Sequence, residues 1–130
     1  NVGDDRWRHA WAFRSLHDTG ARLAFSSDWN VAEMDPMVGL YTALTRANLD
    51  GSGAWVPEEA VDLETAIGAY TMGGAHVLFA EDRRGSISVG KQADISVFSV
   101  DLLKAMPAEI IAGRPVMTIV DGAVVYSAEP

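Results

Sequence analysis

Apolar positions along this chain change their spacing twice, which divides it into three regimes. In the first, Trp7, Ala10, Trp11, Phe13 and Leu16 recur at helical intervals and predict a helix over Arg6–Asp18. Asp4 and Asp5 stand at its positive end and Gly20 serves as a left-handed stop. Arg22-Leu23-Ala24-Phe25 then shows no polar alternation, so Ala21–Ser26 reads as a strand buried on both faces, as in a parallel sheet covered by helices. In the second regime Asp35-Pro36 supplies an N-cap and a first-turn proline, and Met37, Leu40, Tyr41 and Leu44 fall at i, i+3, i+4 and i+7 of a helix ending near Arg46. Asn48–Pro57, with Gly51-Ser52-Gly53, has no period and is expected to be a mobile loop. Asp62 opens another helix with Leu63, Ala66, Ile67 and Tyr70 on one stripe; Gly73-Gly74 is expected to break it before a short helix over Ala75–Glu81. In the third regime short β segments dominate: Ser86–Val89, Ile95–Val100, Val116–Val120 and Ala123–Tyr126, with a helical interruption over Pro107–Ala112. Asp121-Gly122 between the last two is a strong hairpin signal.

Helix, tight turn and buried strand is the rhythm of a parallel α/β unit, so the fold class reads as α/β. The change of character near Arg84 divides the chain into residues 1–84, a last helix and strand with the helices that follow, and residues 85–130, a β segment. Neither part is expected to suffice alone. One parallel strand leaves both its edges unpaired, and four short strands give a small sheet with a face to cover. The chain opens at Asn1, already on the approach to a helix, and reads as cut from something longer. The missing neighbours would come from the same polypeptide or from another chain, and a homo-oligomer is one such arrangement.

Composition narrows the partners. A formal charge of −8 over 130 residues opposes a nucleic-acid partner or an anionic membrane surface, both of which want a basic face. The absence of cysteine removes disulfides, thiol nucleophiles and cysteine-based zinc sites together. No apolar run is long enough for a membrane span and no signal-peptide pattern is visible, so a cytoplasmic location is the expectation.

The candidate chemistry lies where the buried run ends, at Ser26-Ser27-Asp28-Trp29, because parallel sheets collect their functional groups at the C-terminal edges of strands. Read from its residues alone, Asp28 either caps the following turn or presents a reactive carboxylate there. Trp29 is a packed loop aromatic or a pocket wall, and Arg46 is a cation favoured at a helix C-terminus or a substrate contact. Ser26 and Ser27 have no His-Asp partner in the sequence nearby and suit backbone hydrogen bonds instead. His9, His17 and His76 form neither His-x-His nor His-Glu-x-x-His and are not expected to bind metal. Lys91 and Asp94 read as structural turn residues.

Several motifs occur in a telling order: Ser26-Ser27-Asp28-Trp29, Asp35-Pro36, Leu44-Thr45-Arg46, Ala69-Tyr70-Thr71, Gly85-Ser86-Ile87-Ser88-Val89-Gly90-Lys91-Gln92-Ala93-Asp94, and Val120 through Tyr126. Together they resemble the C-terminal quarter of amidohydrolase-superfamily enzymes, in the branch like N-substituted formamide deformylase. The resemblance implies the end of a metal-dependent (β/α)8 TIM barrel plus part of a small composite β-sandwich. It implies that Asp28 is the carboxylate at the end of the eighth barrel strand, a metal ligand or its close partner that handles the proton of the attacking water. It further implies one or two divalent ions, zinc foremost, with the other ligands upstream of Asn1, and a small-molecule substrate, for whose pocket Trp29 and Arg46 are the candidate lining residues. The family often has proline two residues after this aspartate, where this chain has Asn30.

Two classes of function follow. One is a metal-dependent hydrolase of non-peptide C–N bonds, in which this chain alone is inactive. The other is a non-catalytic structural or interaction remnant of such an enzyme. A dinucleotide-binding fold is disfavoured, since no glycine fingerprint follows the Leu23–Phe25 run.

Overall fold

The structure, a computed structural model, describes Gly3 and residues 5–129. Asp4, part of the expected acidic lead-in, lies outside the described residues. The helix expected over Arg6–Asp18 forms in two pieces, a 3-10 turn at Trp7–His9 and α1 at Phe13–Asp18. The break is Trp11, whose φ of 53° is left-handed. Trp7 and Trp11 both pack edge-on against the Trp55 ring, at 6.1 and 6.0 Å between centroids. That packing favours the interruption over helical continuity, which periodicity alone cannot register.

Ala21–Ser27 is neither helical nor paired with any strand among the described residues, and it is not buried on both faces: Arg22, Ala24 and Ser26 are exposed while Leu23 and Phe25 turn inward. This corrects the expected strand: an extended segment becomes a ladder only beside another, and the sheet of this chain lies elsewhere. The segment is held by the Phe25 N–H, which donates to the Ala69 carbonyl at 3.1 Å, and by packing of Leu23 and Phe25 against the core.

α2 spans Pro36–Thr45 as expected, with the Asp35 carboxylate accepting from the Met37 N–H at 2.9 Å and Arg46 closing the helix at a left-handed φ of 57°. α3, Leu63–Gly68, starts at Asp62, whose carboxylate accepts from the Thr65 N–H at 2.8 Å. It passes without a break through a π-helical turn, Ala69–Gly73, into α4, Gly74–Val77. The expected stop at Gly73-Gly74 is therefore absent. Gly73 is helical (φ −61°) and serves close approach, since a Cβ there would fall 2.1 Å from the Leu23 carbonyl oxygen. α4 stops at Val77, short of the expected Glu81, and Phe79 turns left-handed (φ 53°) just beyond it.

Ser86–Val89 is not a strand. It lies between Gly85 and Gly90, both at positive φ, with Ile87 and Val89 exposed, and among the described residues no strand pairs with it. The sheet has three antiparallel strands in sequence order: β1, Ile95–Phe98; β2, Pro115–Val120; and β3, Ala123–Ser127. Ile95 faces Ile119 across the first pair and Thr118 faces Tyr126 across the second. The β2–β3 turn is Asp121-Gly122 with φ of 49° and 79°, the double-positive geometry of a type I′ hairpin. Asp94 and Ala93 hold it, the Asp94 carboxylate accepting the Asp121 N–H at 2.9 Å and the Ala93 carbonyl accepting the Gly122 N–H at 3.1 Å.

Between β1 and β2, α5 (Pro107–Ile111) inserts the fully buried Ile110 among Met37, Leu40, Ala43, Val61 and Ala66. The core thus draws on both the helical and the β segments of the sequence.

Candidate active site

The extended segment ends at Ser26-Ser27, which form one wall of a cavity of about 760 Å³. Trp11, Phe13, Trp55 and Tyr70 give it aromatic sides, and Arg46 supplies the one cation among the described lining residues. Each aromatic is placed by a local device. Phe13 packs on Phe25 at 4.9 Å and Phe25 on Tyr70 at 5.6 Å, stacking α1, the extended segment and the π turn together. The Tyr70 ring fits because position 39 is glycine: a Cβ at Gly39 would fall 1.8 Å from the Tyr70 oxygen. Burial pushes the Tyr70 hydroxyl pKa up.

Arg46 leaves the end of α2 with its guanidinium 5.5 Å from the centre of the Phe13 ring. Its Nε donates to the Trp55 carbonyl at 3.1 Å, and desolvation lowers its pKa against the opposing influence of Glu59. Glu59 is itself buried. Its carboxylate accepts from the Ser15 N–H at 2.9 Å and from the Ser15 hydroxyl, and these bonds hold its pKa below the usual glutamate range. Beside it, Arg14 Nε donates to the Ala60 carbonyl at 2.7 Å, so α1 is clamped to the Pro57–Glu59 turn.

Asp28 and Trp29 sit on the turn just past the Ser26–Ser27 wall. The Asp28 N–H donates to Ser26 Oγ at 3.0 Å and its carbonyl accepts the Val31 N–H at 2.7 Å, so the backbone is fixed in a tight bend at φ 52°. Ser26 thereby serves the backbone, as expected for it. The Asp28 side chain is exposed and, among the described residues, accepts no hydrogen bond; Trp29 is exposed beside it. The structure therefore brings Arg46 into the cavity and leaves Asp28 and Trp29 at its margin. In the sequence Trp11, Phe13 and Tyr70 read as apolar helix positions, Tyr70 also within the Ala69-Tyr70-Thr71 motif, and Trp55 as part of a loop; none reads as a cavity wall.

Among the described residues no three His, Asp or Glu side chains converge as a cation site. His76 Nδ1 lies 2.8 Å from Glu81 and His17 Nδ1 lies 3.6 Å from Asp18, both simple pairs. Lys91 Nζ donates to the Glu81 and Arg84 carbonyls, and Arg84 grips Gln92 Oε1 at 2.7 Å, so the Gly90–Asp94 segment is structural. The loop 47–54 is also tied down, through the Ala47–Ala54 bridge and the Tyr41 hydroxyl on the Asn48 carbonyl at 3.1 Å, rather than left free.

This arrangement matches part of the fold of an amidohydrolase. The amidohydrolase from Thermotoga maritima MSB8 superposes with a TM-score of 0.68 over 91% of this chain and 26% of that one, at 23% identity. The amidohydrolase family profile matches residues 1–126, and the chain belongs to that family. It is 30% identical to YtcJ of Bacillus subtilis (strain 168) over 127 residues, 96% of this chain and 24% of that protein. It is also 31% identical to the N-substituted formamide deformylase of Arthrobacter pascens over 113 residues, 87% of this chain and 21% of that protein. The chain thus spans about a quarter of the length of the curated relatives it matches. Among the described residues no helix is long and apolar enough to cross a membrane.

Proposed function

We propose that this chain forms part of a metal-dependent amidohydrolase that cleaves a non-peptide, amide-type C–N bond with an activated water. The observation that carries the reading is the exposed Asp28 carboxylate, held at the end of the extended segment with no hydrogen bond of its own among the described residues. A carboxylate kept free in a rigid bend suits a hard divalent cation or a water proton. One such donor is too few for a catalytic zinc, which wants three protein ligands and an open position. The others would come from outside this chain, in keeping with the quarter of its relatives' length that it spans. The extended segment before Asp28 would be the last strand of a TIM barrel, paired with strands of the same polypeptide, and β1–β3 part of a small composite β-sandwich.

When bound, one or two zinc ions would lower the pKa of water toward neutrality. Asp28 would hold an ion or stand beside it, take the proton of the attacking water, and return it to the departing amine. Ser26 fixes the bend that aims Asp28. Trp29 and Arg46 would contact the small-molecule substrate, for which N-substituted formamides are the first class to try, given the deformylase relative.

The test is hydrolysis of an N-substituted formamide panel by the intact protein, before and after chelation. Activity that disappears with chelator and returns with zinc supports the reading. A well-folded protein with no turnover on the panel in any metal would favour the non-catalytic remnant.

A further inference from the structure

We propose that the cavity beside Ser26 and Ser27 is a subsite for an aromatic acid, with its ring against Trp11, Phe13 and Trp55 and its carboxylate on Arg46. The volume, about 760 Å³, lies within the range that holds small organic ligands. The walls are largely aromatic. Trp11 and Trp55 meet at 90° with 6.0 Å between ring centroids, yet they remain 63% and 49% exposed. Two indoles set at right angles offer one face and one edge to a flat ring, the arrangement aromatic pairs prefer.

Arg46 defines the polar end. Its backbone is fixed as the cap of α2, its Nε is spent on the Trp55 carbonyl, and Phe13 lies under the guanidinium. The two terminal Nη groups make no hydrogen bond among the described residues; Glu59 acts on Arg46 through its charge, while its own oxygens accept from Ser15. A half-buried guanidinium held in one plane and short of partners is suited to a carboxylate, which it can meet with paired N–H donors. Charge sets a limit as well. Glu33 and Asp35 also line the cavity, Asp35 at the N-terminal end of α2 and Arg46 at its C-terminal end, so one negative group at the Arg46 end is favoured and a second, elsewhere on the ligand, is not.

This inference deepens the proposed hydrolase, since the acid-bearing ring would be the part of the substrate that the site keeps in place, but its test does not depend on turnover. Calorimetric titration of the intact protein would compare 3-phenylpropionate with 3-phenylpropanol, which lacks the charge, and with butyrate, which lacks the ring. The expected result is that the aromatic acid binds about tenfold or more tighter than either. Arg46→Gln should bring the acid and the alcohol to within about twofold of one another, and Arg46→Lys should fall between, because an ammonium lacks the planar fork. Trp11→Ala, at an exposed position, should weaken both ring-bearing ligands and leave butyrate alone. Equal or absent binding of all three ligands to folded protein would overturn the proposal, and would mean that an apolar part of the polypeptide fills the cavity. So would a charge preference that survives Arg46→Gln or Arg46→Lys unchanged. The two readings can fail separately: acid binding without any hydrolysis sinks the catalytic proposal alone, and metal-dependent hydrolysis without acid preference sinks the subsite alone.

Discussion

Arg46 and Trp55 exchange hydrogen bonds in both directions. The Trp55 N–H donates to the Arg46 carbonyl at 2.9 Å, and Arg46 Nε donates back to the Trp55 carbonyl at 3.1 Å. This double link closes the loop 47–54 across the end of α2 and fixes an indole and a guanidinium in one frame. Because both bonds use the Trp55 backbone, Trp55→Ala keeps them and removes only the ring on which Trp7 and Trp11 pack. The expected cost is about 1–3 kcal/mol in urea unfolding, from lost aromatic pairing and area. The near-ultraviolet circular dichroism of the remaining tryptophans should flatten while the far-ultraviolet signal holds.

Glu59→Gln should lower the melting temperature at neutral pH, since it replaces charge-assisted bonds from Ser15 with neutral ones worth about half as much. The pH dependence has a fixed sign. The folded carboxyl is held below its ordinary value, so its stabilising contribution is complete above the ordinary glutamate range and is lost as pH falls through the depressed value. Melting curves of the two proteins should therefore differ at pH 7 and converge in strong acid. A gap that stayed constant on acidification would contradict the assigned role.

Gly73→Ala sets two effects against each other. Alanine gains roughly 1 kcal/mol of helix propensity. The new methyl group would lie 2.1 Å from the Leu23 carbonyl oxygen, a backbone atom that can move only with the whole extended segment. Overpacking of this kind typically costs about 1–3 kcal/mol. Net destabilisation is expected in denaturant melts. Gly74→Ala, where a Cβ meets nothing within 4 Å, should be neutral or stabilising.

That pair explains why parts of the fold were legible in the sequence and others were not. Asp35-Pro36, Asp62 and Asp121-Gly122 act through their immediate neighbours, and the caps and hairpin turn they predict are present. Gly73 acts through Leu23, fifty residues earlier in the chain, and a glycine needed for close approach looks in sequence like one that ends a helix. Trp11 kept its helical spacing while its backbone left the helix for Trp55. Ala21–Ser26 has the composition of a strand, but a strand is a relation between segments, and no described segment pairs with it. In the candidate site, Asp28 could be singled out by its place after an apolar run, whereas the cavity joins α1, the Phe25–Ser27 segment, α2, Trp55 and the π turn, a juxtaposition that spacing along one element cannot express.

Asp28→Asn is the substitution that isolates the proposed chemistry. Asn tolerates the left-handed φ of 52° as well as Asp does, so the bend and its bond to Ser26 should survive. The carboxylate accepts no hydrogen bond among the described residues, so replacing it should leave the melting temperature almost unchanged. What it removes is the oxygen that would take the proton of the attacking water. Positioned acid–base groups contribute about 10²–10⁴-fold to rate, and loss of a metal contact would add to that. The intact Asp28→Asn protein should thus show turnover on its best formamide reduced by at least about a hundredfold, at unaltered stability. Wild-type turnover in that variant would remove Asp28 from the mechanism. A large drop in stability would instead make the residue a structural element of the bend.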